Sequence, residues 1–255
     1  MLDINFDPAW LVAVYLISLR VGAVLVLSPI FSHMNGVVTV RVLFTLALSV
    51  VLASGVDLKS FQVPLEFGPL LSASLAELVV GITLAFGVFA AFGAFSVAGK
   101  ILDIQTGFGL ASVFDPVTAA DSPLFASMLN LLAVCVFFGM DAHHALMRGI
   151  MFSLHQVPPG TGLSSLPIVA VIHQFGLMFS LGTALIAPVM ICLLLVEACF
   201  GMISRVLPQM NVFVVSIPVK IVVGLFMFAL TIGSLGPQMS RVYASIFTFW
   251  EQVLL

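Results

Sequence analysis

GKILDIQTGFGLASVFDPVTAADSP, residues 99–123, is where a long apolar sequence breaks. The stretch carries Lys100, Asp103, Asp115 and Asp121 in a chain that has few charges. Gly107 and Gly109 flank Phe108, and Asp115-Pro116 and Ser122-Pro123 follow. Glycine and proline at this density mark a turn-rich, irregular segment. Yet the same residues include Ile101, Leu102, Ile104, Phe108, Leu110, Val113 and Phe114, which an ordinary solvated loop would not hold. Lipid cannot satisfy the free N–H and C=O groups of irregular backbone, so an apolar loop of this kind is buried in protein or lines a cavity. The hydrophobic segments on either side are read as the frame that holds it.

The composition sets the surroundings. Of 255 residues, 62% are hydrophobic and 7% charged, and the mean hydropathy is +1.27. Soluble domains carry about 25% charged residues, so this composition belongs to a membrane or membrane-complex protein of roughly one or two domains. The net charge of −3 and the lack of any basic run give no nucleic-acid signal. Cys135, Cys192 and Cys199 lie in apolar runs without a CxxC pair, which predicts buried packing residues. The acidic start, MLDINFDPAW, lacks the basic region of a cleaved signal peptide, so the first apolar segment is expected to stay.

In chain order the pattern is all-helical. Asp7-Pro8 suits a helix start, and residues 9–31 form an apolar run with Arg20 at its middle and Pro29 near its end. Residues 40–55 form a second run, and a polar connection spans 57–68. Residues 69–99 form a third, longer than the roughly 30 Å of hydrocarbon requires. Its Gly81, Gly87, Gly93 and Gly99 recur every six residues, about 600° of helix rotation, so they share no face. Phe86, Phe89, Phe92 and Phe95 drift over a broad face and read as packing residues, with a pore-facing surface as the other reading. Residues 124–139 are apolar again, and a helix follows Met140-Asp141-Ala142-His143-His144 to about His155. The linker VPPGTG, 157–162, is placed as the boundary between two halves. Residues 167–204 are again too long for one straight span, with Gly182 and Pro188 as bends. Residues 205–211 break the pattern, 212–235 follow, Gly236-Pro237 reads as a turn, and 239–255 as an amphipathic helix. No strand-like alternation or fixed repeat competes.

Arg20, Glu77 and Glu197 lie inside apolar runs. A charge at the bilayer centre costs about 2.5–3.5 kcal/mol on insertion scales, so such residues face protein or water and find partners. Pairing between helices or subunits is the expectation; a proton relay would need acids and bases recurring along one face. Asp141, His143 and His144 invite a metal reading, but adjacent histidines sit about 100° apart on a helix, and a polar helix end is expected instead. No phosphate loop, HExxH or nucleophile elbow is present, and Gly107-Phe108-Gly109 lacks the rest of a nucleotide fingerprint. The chain is therefore expected to be no enzyme, with no catalytic residue, cofactor or metal.

Three stretches carry a family likeness. The first runs over residues 98–116, with Asp103, Gln105, Gly107 and a closing Phe114-Asp115-Pro116. The second is FFGMDAHHALMRGIMFSLHQVP, 137–158, and the third SRVLPQMNVF, 204–213, followed by Pro218, Lys220 and Gly224. In their order and spacing these resemble the FliR family of flagellar type III export-gate proteins and its SctT-type virulence relatives, over nearly the whole chain. The flagellar version is favoured.

The resemblance implies an inner-membrane, basal-body subunit that assembles with FliP and FliQ in a helical export gate and meets FlhB on the cytoplasmic side. It implies a FliP-like part over 1–160 and a FliQ-like helical hairpin over 161–255. It implies a conduit for unfolded flagellar export substrates, closed by a plug loop over 105–121. Residue by residue the plug falls on Gln105, Gly107, Phe108, Gly109, Leu110, Val113, Phe114, Asp115 and Pro116. Arg205, Pro208, Gln209, Asn211 and Lys220 would line the cytoplasmic entrance and contact the partner. Two other classes predict different features. A small-molecule transporter should have paired, similar halves, and a purely structural subunit should use the same loop as a rigid strut.

Overall fold

Long apolar runs satisfy their backbone internally as helices, and the described residues do so almost throughout, Pro188 and Pro218 included within theirs. The computed structural model describes residues 8–29, 38–55, 66–108, 123–163, 167–209 and 211–255. The helices are α1 (Pro8–Leu27), α2 (Val38–Ser54), α3 (Phe67–Thr106), α4 (Leu124–Gly139), α5 (Ala142–Gln156), α6 (Ile168–Val206), α7 (Val212–Thr231) and α8 (Gly236–Leu254). A 3-10 turn, Ile232–Ser234, follows α7. No strand occurs among the described residues. The fold is all-α. Ala9–Leu27, α3, α6 and Val212–Ser234 are each long and apolar enough to cross a membrane. At ~1.5 Å per residue, α3 with its 40 residues is about twice the hydrocarbon thickness.

The chain divides into two compact units. The first comprises Met1–Ala90, Asp141–Gln174 and Ser245–Leu255; the second comprises Ala91–Met140 and Phe175–Ala244. In the first unit α2 packs along α1. Leu16, Ile17 and Val21 of α1, Leu84 and Val88 of α3, Leu146 and Ile150 of α5, and Ile246, Phe249 and Trp250 of α8 are buried. Trp250 fits because Gly87 and Gly149 present no side chain to it, and its indole N–H donates to the Leu84 carbonyl at 2.9 Å. In the second unit Phe92, Phe95, Phe137 and Tyr243 form one aromatic cluster with ring centroids 5.5–6.4 Å apart. The Tyr243 hydroxyl donates to the Ala133 carbonyl at 2.6 Å.

Three sequence expectations are corrected. The break expected at Gly99 falls later: α3 runs on to Thr106 and stops at Gly107, whose φ of 90° is in the left-handed region. Residues 100–106 contain no breaker, and Leu102, Asp103 and Thr106 are buried there. Gly236-Pro237 opens α8 rather than forming a turn before it, in keeping with the ease of proline in a first helical turn. Cys135 and Cys199 are exposed and Cys192 is half-buried; an apolar run in such a chain does not imply burial, because its outward helix faces are apolar too. Of the phenylalanines on α3, Phe92 and Phe95 are buried while Phe89 is exposed.

Candidate functional site

The residues at the edges of the 107–123 segment are built into the second unit. Asp103 lies in the last turn of α3 and is buried. Its Oδ1 accepts the Phe125 N–H at 2.9 Å and its Oδ2 the Ala126 N–H at 3.1 Å. These N–H groups open α4, where helix geometry leaves donors without intrahelical partners. Pro123, at the N-cap, makes no side-chain cap bond. Thr106 donates its hydroxyl to the Leu102 carbonyl, and its methyl faces Gly224 of α7. Phe108 stands edge-on to Phe125 at 6.0 Å, and Phe125 edge-on to Phe228 of α7 at 5.6 Å. Gln105 is half-buried and its Oε1 has no hydrogen-bond partner among the described residues.

Of the residues expected to form the plug, Gln105 lies on α3, Gly107 ends that helix, and Phe108 follows it. Gly109, Leu110, Val113, Phe114, Asp115 and Pro116 lie outside the described residues. Sequence reasoning missed Asp103, Thr106, Phe125 and Phe228 as the surroundings of this segment. The one available signal was an aspartate four residues after Gly99, the last regular glycine of α3, at the end of an apolar run.

The charges in apolar runs have partners. Arg20 and Glu77 are both fully buried in the first unit and form a bidentate pair, Nε to Oε2 at 2.7 Å and Nη2 to Oε1 at 2.9 Å. Arg20 Nη1 also donates to the Ser153 carbonyl at 2.9 Å. The Gly160 N–H donates to Glu77 Oε1 at 2.7 Å. One ion pair thus joins α1, α3, the end of α5 and the linker that follows it. In the second unit Lys220 of α7 pairs with Glu197 of α6 at 3.0 Å, the carboxylate side 61% exposed. Arg205 is in the last turn of α6. Pro208 and Gln209 sit in the exposed turn after it, and Asn211 precedes α7 without a side-chain cap bond. Lys220 is two turns further on and is not part of that turn.

Asp141, His143 and His144 mark the start of α5. Asp141 has φ 54°, its carboxylate lies 3.6 Å from His144 Nδ1, and the two imidazole centroids are 4.1 Å apart with the rings tilted by 37°. One ligand atom from each residue falls within 4.8 Å of the others. The rotation argument from helix spacing thus separates the histidines too widely, because the first of them sits at the helix start where the rings can turn toward each other.

These features define an integral membrane protein with ion pairs between its helices, one of them fully buried. Comparison makes the class specific. Residues 11–246 match the family described as bacterial export proteins, family 1. The chain is 32% identical over 229 residues to the flagellar biosynthetic protein FliR of Bacillus subtilis, covering 88% of this chain and 86% of that one. It is 27% identical over 247 residues to FliR of Escherichia coli, covering 96% and 94%. It is also 30% identical over 221 residues to the surface presentation of antigens protein SpaR of Shigella flexneri, covering 84% of each. The chain belongs to family 1 of the bacterial export proteins.

Proposed function

We propose that this chain is a subunit of the flagellar type III protein export apparatus in the bacterial inner membrane. The observation that carries the proposal is the near full-length likeness to relatives named as flagellar biosynthetic proteins. In this reading the chain assembles with FliP and FliQ into a gate and meets FlhB at the cytoplasmic side. Residues 1–160 act as the FliP-like part and 161–255 as the FliQ-like hairpin. Unfolded export substrates pass through the assembly, and the energy for their movement comes from elsewhere. The exposed turn with Arg205, Pro208, Gln209 and Asn211 faces the entrance, Lys220 standing behind it. Residues 105–121 close the conduit, with Phe108 and Phe114 as its seal and Gly107 and Gly109 as its points of backbone freedom.

Two measurements test this. Cells lacking the gene should retain flagellin and hook protein inside; normal export of both would refute the flagellar reading. Loss of a different set of secreted proteins would instead favour a virulence-type apparatus, the second reading suggested by the likeness to SpaR. Deleting residues 105–121 should raise ion leakage through the assembled gate. Unchanged membrane conductance would sink the plug, and failed assembly would favour the strut.

A further inference from the structure

We propose that a cavity between α5 and α8 binds the head group of a zwitterionic phospholipid with a primary amine, of the phosphatidylethanolamine kind. The cavity measures about 310 Å³ and is lined by Phe152, Phe247 and Trp250, with Arg148 and Glu251 beside them. All five residues belong to the first unit. The volume stands at the lower end of the roughly 300–1,000 Å³ of small-molecule sites, so it takes a head group and its glycerol rather than two whole acyl chains. The aromatic wall is preformed. Gly149 has no side chain, and a Cβ there would stand 2.6 Å from Trp250 Cζ3, so the indole rests against the α5 backbone. The Leu84 carbonyl holds the indole N–H, and Phe247 stands edge-on to the indole at 6.1 Å.

The charges choose the ligand. Arg20 with Glu77 and Lys220 with Glu197 close on each other. Arg148 and Glu251 line one cavity and are both exposed, yet among the described residues neither forms an ion pair. In a chain with only 7% charged residues, an opposite pair left open around an aromatic cavity matches a ligand that carries both charges. A guanidinium takes a phosphate through two parallel N–H bonds. A primary ammonium donates to a carboxylate and is attracted to aromatic faces beside it. The rings cover the glycerol and the first methylenes. An anionic head group would meet Arg148 but be repelled by Glu251, and a quaternary ammonium has no N–H to give the carboxylate. The cavity is independent of residues 105–121.

Native mass spectrometry tests the proposal on the complex extracted in mild detergent through a tag on this chain. After delipidation, phosphatidylethanolamine, phosphatidylcholine and phosphatidylglycerol with the same acyl chains are added one at a time. The parent should hold phosphatidylethanolamine about tenfold more tightly than either of the others. Arg148→Gln and Glu251→Gln should each abolish that preference. Ala145→Phe, which fills the cavity from its α5 side and leaves both charges in place, should abolish it too. Equal retention of the three lipids by the parent would overturn the proposal. So would a preference for phosphatidylglycerol, or a preference that survives Arg148→Gln or Glu251→Gln. Assembly of both glutamine variants but not of Ala145→Phe would place a protein segment in the cavity and overturn the lipid.

Discussion

At Arg20 a guanidinium with no access to water uses its donors on one carboxylate and one backbone carbonyl. Glu77 in turn uses Oε1 twice, for Arg20 and for the Gly160 N–H. Removing one partner of such a pair leaves an uncompensated buried charge, a loss of about 3–5 kcal/mol, whereas replacing both by apolar residues of similar volume is often neutral. Glu77→Ala should therefore lower the thermal stability of the detergent-extracted complex sharply, while Arg20→Met with Glu77→Leu should recover most of it. Equal melting temperatures for the parent and Glu77→Ala would show that the pair contributes nothing. The double variant also isolates specificity from stability: it should fold but hold the 157–162 linker less firmly, which limited proteolysis would reveal.

The last element, α8, is not one of the candidate spans, yet it supplies buried side chains to both units. Trp250 serves the first and Tyr243 the second. Burial pushes the Tyr243 phenol well above its ordinary value of 10.0, because the phenolate would lose its water. The unfolded chain ionises near the ordinary value, so the folded state binds more protons above it. The stability from Tyr243 is complete below about pH 10 and falls as the pH rises beyond that. Thermal melts across this range should show a decline that Tyr243→Phe reduces; the same decline in both proteins would remove Tyr243 from the account. The Phe variant also forfeits its bond to Ala133, a loss of about 1 kcal/mol at neutral pH.

For the whole molecule the telling feature is what remains uncovered. In the second unit Ile191, Leu194, Leu195, Val222, Phe226 and Leu230 on α6 and α7 are exposed. Lipid can cover such a surface, but it solvates Glu197 poorly, and that carboxylate stays exposed beside Lys220. A protein neighbour on this face satisfies both needs, in line with the proposed assembly. Expressed alone, the chain should run as polydisperse aggregates in mild detergent; co-expressed with FliP and FliQ, it should elute in one defined complex. A monodisperse lone chain on size-exclusion chromatography would argue against an obligate assembly.

The helical class, the membrane setting, the helix starts near Pro8 and Leu124, and the need of Arg20 and Glu77 for partners were all legible in the sequence. They follow from hydropathy, length and the cost of a bare charge, which are properties of a segment by itself. The extent of α3 was not legible, because a glycine reads as a break until its neighbour is known; Gly99 is a contact with Ala126 instead. The choice of Glu77 for Arg20, 57 residues apart, was likewise open, as was Glu197 for Lys220. Around residues 99–123 the sequence by itself determined that one helix ends and another starts near Leu124, but not that the first runs on to Thr106. Only the tertiary structure decided that Asp103 meets the start of α4, because that bond depends on two helix backbones meeting closely enough for a carboxylate to reach a pair of unpaired N–H groups.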